Sequence, residues 1–141
     1  MRQKAYALIV EQGNLLLVRY YYPRENAWYW NFPGGTLEPG ETLEEAVRRE
    51  LMEECCVQID VGPLLLREAI PKRNYIRHFF LCSIREGRPR VSDNPLTNDS
   101  IGAIEWVPLS DPGYCGEWGR RHFPVVERAL AMGRKLLGDP A

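Results

Sequence analysis

No run of 18 apolar residues occurs in the 141-residue chain, so the sequence predicts no membrane-spanning helix. The first twenty residues carry Arg2, Lys4, Glu11 and Arg19 and lack a small-residue cleavage site. No secretory leader is therefore expected, and the reading is of an unexported, cytoplasmic protein. The four cysteines, Cys55, Cys56, Cys82 and Cys115, form no C-x-x-C pair and have no histidine at the spacing of a zinc site. Free thiols, mostly buried, are therefore expected. A formal net charge of −1 gives no overall field to steer the molecule onto nucleic acid or an anionic membrane, so any anionic ligand must be held locally. Internal repeats, low-complexity tracts and linkers are absent.

What is present fits one domain spanning residues 1–141, with 45% hydrophobic and 26% charged residues. Two apolar runs flank Glu11-Gln12-Gly13-Asn14, a hairpin signature that predicts two antiparallel strands. Residues 27–32 read as a short aromatic strand, and Pro33-Gly34-Gly35 as the start of a loop. An acidic helix follows, then strands over 58–70, 75–84 and 103–109, with a loop over 87–100. Val126, Leu130, Gly133 and Leu137 recur at helical spacing, which predicts a closing amphipathic helix over 123–137. The order β-β-β-α-β-β-β-α mixes both element types around one sheet, which implies an α/β or α+β sandwich.

The acidic helix carries the chemistry. Thr42 and Glu45 form a capping box, which starts the helix at Leu43 and carries it to Glu54 or Cys55. At about 100° per residue, Leu43, Ala46 and Val47 share a face with Glu50, Glu53 and Glu54. A glutamate- and arginine-rich helix end is ordinarily solvated surface. Here the apolar positions turn the acids inward, where three neighbouring carboxylates must bind protons or a cation. Oxygen donors alone suit magnesium or manganese rather than zinc. Arg49 stands one turn before Glu53, placed either to orient a carboxylate or to make a surface ion pair. Gly34 and Gly35 allow close approach of a phosphate and a carbonyl turned toward a metal.

Gly35, Glu41, Arg49, Glu50, Leu51, Glu53, Glu54 and Val57 fall at the positions of G-x5-E-x7-R-E-U-x-E-E-x-G-U, where U is aliphatic. Residues 35–57 thus resemble the Nudix box of MutT-like hydrolases. The departure is Cys56, where the family has glycine in a left-handed turn, and a β-carbon there costs about 1 kcal/mol. The resemblance implies a single α/β/α sandwich, with a mixed sheet between helices, that hydrolyses a nucleoside diphosphate linked to a moiety X. It implies Glu50, Glu53 and Glu54 as ligands of magnesium or manganese, with the Gly34 carbonyl as a fourth. Glu50 becomes the general base, Glu41 and Arg49 brace loop and helix, and Asp99 and Glu105 are the candidate acids outside the box.

Substrate recognition would lie elsewhere. Tyr20, Tyr21, Tyr22, Trp28, Tyr29 and Trp30 offer aromatic faces for a base, with Arg19 and Arg24 as cations for phosphates, although any one of these aromatics is more often core. Arg73, with Lys72 and Arg77, forms a second cationic group, fit for terminal phosphates or for a solvated turn. Pro71 and Tyr75 lie near the marker positions of two different subfamilies, which leaves ADP-sugars, dinucleoside polyphosphates and damaged nucleoside triphosphates all open. The expected partner is a small nucleotide, with no membrane and no extended nucleic-acid surface; a homodimer is left open. Two other readings compete: a nucleotide sensor of the same fold, if Cys56 distorts the site, and an isomerase, which would need Cys82 as a reactive thiol.

Overall fold

The computed structural model describes residues 1–93 and 101–138. Eight strands, β1 (Arg2–Leu8), β2 (Val10–Glu11), β3 (Asn14–Tyr22), β4 (Ala27–Asn31), β5 (Gly34–Thr36), β6 (Gln58–Ile70), β7 (Tyr75–Glu86) and β8 (Ile101–Pro108), join two helices, α1 (Leu43–Cys55) and α2 (Gly116–Leu136). One sheet has the order β5-β1-β7-β6, and its β1–β7 pair is parallel. The second sheet is built on β3, with β8 along one side and β2 and β4 sharing the other.

Alternation along the strands builds two cores. Ala5, Ala7 and Ile9 pack with Leu16 and Val18 against Ala46, Val47 and Leu51 of α1. Tyr6 and Leu8 pack with Leu15, Leu17 and Phe79 against Phe123, Val126 and Leu130 of α2. The sandwich follows from these two apolar faces, each covered by one helix.

The structure departs from the sequence reading in three places. Gln12 and Gly13 both have positive φ, as a tight hairpin turn requires, but only Val10 and Glu11 form the first arm. The chain crosses between sheets at Ile9, so β1 pairs with β7 and β5 instead of β3. Gly34 and Gly35 form a strand rather than a loop, paired with Tyr6 and Ala5. A β-carbon on Gly34 would sit 2.2 Å from the Ala5 carbonyl oxygen, so only glycine allows this pairing. Finally, α2 begins seven residues earlier than the apolar spacing indicates and contains Pro124. Gly119 lets that first turn press on Pro112, whose carbonyl oxygen would lie 2.0 Å from an added β-carbon.

Candidate active site

Helix α1 starts as its sequence dictates. The Thr42 hydroxyl accepts the Glu45 N–H at 3.1 Å, and Glu45 Oε1 accepts the Thr42 N–H at 3.0 Å. Ala46, Val47 and Leu51 are fully buried and fix the rotation of the helix, which carries Glu54 inward on the same face. Glu54 is only 7% exposed. Its Oε1 accepts the Gly34 N–H and its Oε2 the Tyr20 hydroxyl, both at 2.8 Å. Burial first, then the neighbouring Glu50, raises its pKa to about 8 against the pull of those two donors. Glu50 is also raised by burial, opposed by Arg49. A β-carbon on Gly35 would meet Glu50 Oε1 at 2.7 Å, so the second glycine of the pair makes room for this carboxylate.

Arg49 organises the rest. Its Nε and Nη2 donate to the two oxygens of Glu41 at 2.7 and 3.0 Å, and Nη2 also reaches the Thr36 carbonyl at 3.1 Å. Nη1 donates to Glu50 Oε1 at 3.1 Å and Glu53 Oε2 at 3.2 Å. Arg49 therefore both makes the i,i+4 pair and ties the loop after β5 to the helix. These bonds, with the Glu38 N–H, hold the Glu41 carboxyl below its usual range.

Glu50, Glu53 and Glu54 thus leave the same end of one helix, beside the Gly34–Gly35 strand. Among the described residues no three acidic, imidazole or thiol groups are gathered as a formed cation shell, because Arg49 draws Glu50 and Glu53 while Tyr20 and Gly34 draw Glu54. The donor set nevertheless fits a hard divalent ion. It is all oxygen, and burial holds Glu50 and Glu54 in a state that a nearby cation would relieve. At Gly34 the bonded group is the N–H, given to Glu54.

Cys56 takes the left-handed conformation, with φ 59° and ψ 35°, and its N–H reaches the Met52 carbonyl at 3.1 Å. The turn is kept despite the β-carbon. All four cysteines are free, and burial pushes the Cys82 thiol up to about 12, which removes the reactive cysteine that an isomerase would need.

A cleft of about 390 Å³ adjoins the acids through Tyr20, lined also by Tyr22, Tyr29, Trp30, Asn31 and Arg73. Of the sequence candidates for substrate contact, Tyr20, Tyr22, Tyr29, Trp30 and Arg73 are here. The others are not among its lining residues. Arg19 lies between the Trp28 and Trp30 rings, 4.9 and 4.8 Å from their centroids, and Tyr21 packs on Trp28. Arg24 is exposed in the β3–β4 turn. Glu105 pairs with Arg19 at 3.8 Å and accepts the Tyr114 hydroxyl at 2.6 Å, on the face of β3 opposite Tyr20. It does not join the helix acids. Asp99 lies outside the described residues. The sequence reading named Tyr20 and Tyr22 only as aromatic faces and missed Asn31 and the bond from Tyr20 to Glu54; the period-two alternation of β3, which separates Tyr20 and Tyr22 from Arg19 and Tyr21, was the signal available. A second cavity, of about 270 Å³, lies under α2 between Leu8, Phe32, Phe79, His122 and Val126, with Arg77 in its wall.

Fold and site together define an α/β/α sandwich protein with an acidic helix end set against a glycine strand. The chain belongs to the NUDIX domain family, whose model matches residues 1–129. It is 32% identical over 106 residues to a putative 8-oxo-dGTP diphosphatase of Bacillus subtilis, covering 74% of this chain and 65% of that one. It is 38% identical over 56 residues to a CTP pyrophosphohydrolase of Escherichia coli, covering 40% and 42%. The chain spans between about a fifth and two thirds of the length of such curated relatives. Among solved structures, the MutT protein of Methanosarcina mazei superposes with a TM-score of 0.68 at 25% identity, over 90% of this chain and 93% of that one. A putative nudix hydrolase family member from Chromobacterium violaceum gives 0.69 at 23% identity, over 98% and 89%, a likeness of fold. Among the described residues no helix is long and apolar enough to cross a membrane.

Proposed function

We propose that this chain is a divalent-cation-dependent hydrolase that cleaves the pyrophosphate bond of a nucleoside diphosphate linked to another moiety, with water attacking phosphorus. The carrying observation is Glu54, a nearly buried carboxylate held by the Gly34 N–H and the Tyr20 hydroxyl at the end of a helix that also presents Glu50 and Glu53. Magnesium or manganese held by Glu50, Glu53 and Glu54, with the Gly34 carbonyl, would neutralise pyrophosphate oxygens and acidify bound water.

The chain's own residues do the remaining work. Arg49 fixes Glu50 through Oε1, and we assign Oε2 of Glu50 to take the proton of the attacking water. Glu41 holds the guanidinium in place and so sets the helix end relative to the Gly34–Gly35 strand. Tyr20, Tyr22, Tyr29 and Trp30 give the cleft flat faces on which a nucleobase stacks. The relatives named for 8-oxo-dGTP and CTP support a nucleotide as substrate. The left-handed Cys56 keeps the turn beside Glu53 and Glu54, and with it the case for activity over a non-cleaving sensor.

The test is a panel of nucleoside triphosphates, dinucleoside polyphosphates and nucleoside diphosphate sugars with magnesium, read by phosphate release and product mass. Release of a nucleoside monophosphate, lost with chelator and in Glu54→Gln, is the expected result; a panel with no divalent-dependent cleavage overturns the reading.

A further inference from the structure

One row of residues crosses the sheet from the acids to the cavity under α2. Gly34 of β5 stands opposite Tyr6 of β1, Tyr6 opposite Phe79 of β7, and Phe79 opposite Leu66 of β6. The row begins at the residue whose N–H is bonded to Glu54 and ends at two residues that line the cavity. Contacts along it are close: a β-carbon on Gly34 would lie 2.8 Å from Tyr6 Cδ1, and the Tyr6 ring stacks on Phe79 with centroids 5.4 Å apart. Phe79 is thus two strand spacings, roughly 10 Å, from Gly34. Asn31, which lines the Tyr20 cleft, is followed by Phe32, which lines the cavity, so the two flank the same stretch of chain just before Gly34.

The lining is that of a pocket for a ring. Phe32 meets Phe79 edge-on with centroids 5.1 Å apart, and α2 supplies Val126 and Ala129. At about 270 Å³ the cavity falls just short of pockets that enclose a whole drug-sized molecule, so it suits one end of a ligand. Its polar atoms are few. Glu68 Oε1 accepts Arg77 Nε at 3.0 Å and also Nη2, which leaves Glu68 Oε2 and Arg77 Nη1 without a protein partner among the described residues. His122 Nδ1 donates to the Trp118 carbonyl at 2.8 Å, and burial favours the neutral ring, so Nε2 is an open acceptor. Two acceptors and a donor match the polar edge of a heteroaromatic ring. They are too few for a sugar, whose hydroxyls would lose water here without replacement.

We propose that the cavity under α2 receives the moiety X, and that X is a flat heteroaromatic ring system, as a second nucleobase is, rather than a sugar. This rests on the hydrolytic reading above, which leaves X open. One base then stacks in the Tyr20 cleft, the phosphates pass Gly34 beside the acids, and the second ring lies against Phe32 and Phe79 under α2. The substrate class is a dinucleoside polyphosphate, with Glu68, Arg77 and His122 as the residues that read the edge of the second ring.

Nuclear magnetic resonance titration of the chelator-treated chain with adenosine reads the cavity without turnover. The Ala129 methyl and His122 ring signals should shift saturably, and glucose at equal concentration should leave them in place. Ala129→Leu, which fills the cavity, should abolish the His122 response; Val125→Phe narrows the same cavity from a less buried position and serves if Ala129→Leu does not fold. Shifts confined to Tyr22 and Trp30, or equal shifts with glucose, overturn the proposal. With magnesium, kcat/KM for a dinucleoside tetraphosphate should exceed that for a nucleoside diphosphate sugar by about tenfold or more. Ala129→Leu should remove most of that difference, whereas Ala131→Leu, at an exposed position of α2, should not. Equal values for the two substrates in the wild type overturn the choice of X. Cleavage without an adenosine response at His122 leaves the hydrolytic reading standing and sinks the cavity proposal; a response at His122 without cleavage of any nucleotide sinks the hydrolytic reading and keeps the cavity as a ring site.

Discussion

Tyr20 donates its hydroxyl to Glu54 Oε2 at 2.8 Å across 34 residues of sequence. One side chain thereby forms a wall of the cleft and a support of the buried acid. Tyr20→Phe keeps the ring and deletes the donor. It should lower stability by about 1–2 kcal/mol, because a buried carboxylate oxygen loses its partner. It should also weaken manganese affinity, since Glu54 then favours its proton, with kcat/KM falling about tenfold. Denaturant unfolding and manganese titration by paramagnetic resonance check both.

Glu54→Gln should lower kcat by two or more orders of magnitude with little change in fold, on the scale seen when a preorganised polar group is lost from a site. Circular dichroism and single-turnover kinetics separate the two effects.

The same residue sets a pH dependence. Burial raises the Glu54 pKa from the ordinary 4.5 to about 8 in the folded chain. Between these values the folded state keeps a proton that the unfolded state releases. Its contribution to stability is therefore complete below about pH 4.5 and is lost as pH rises through 8. His78 and His122, both lowered by burial, tilt the curve the other way. In chelator, the melting temperature of the wild type relative to that of Glu54→Gln should therefore fall as pH rises from 5 to 8; a constant difference contradicts the assignment.

Arg49→Lys retains the charge but cannot reach Glu41, Glu50, Glu53 and the Thr36 carbonyl together. We expect a loss of about 2–3 kcal/mol, the scale of hydrogen bonds to charged groups, and a fall in activity that added magnesium does not restore. Chemical denaturation with parallel magnesium titrations is the measurement.

Cys56→Gly should stabilise the chain by up to about 1 kcal/mol, because glycine adopts φ 59° without the β-carbon penalty. Activity should be unaltered, since the turn is already formed. A destabilised variant would show that the Cys56 side chain contributes packing worth more than the strain.

The helix α1 was legible almost to the residue because its signals are local: the Thr42–Glu45 cap and the apolar face of Ala46 and Val47. What escaped is set by partners far along the chain. Gly34 is a strand residue only because β1 lies beside it, and β1 leaves the hairpin only because β7 pairs with it. The role of Arg49 as bridge and pair at once required the loop carrying Glu41 to fold back on the helix. Arg19 read as a free cation, and its place between two indoles depends on the register of β3 with β4. Lys4 and Arg77, 73 positions apart, become neighbours through a parallel pairing that nothing local announces.

The crossing of the chain between sheets at Ile9 has a mechanical corollary. Ile9 is buried, and its carbonyl accepts the Leu16 N–H at 2.9 Å, so the two layers are stitched at the point where the backbone changes allegiance. They cannot shear apart to admit a ligand unless that stitch breaks. The Leu16 amide should therefore exchange with deuterium only as slowly as the whole molecule unfolds.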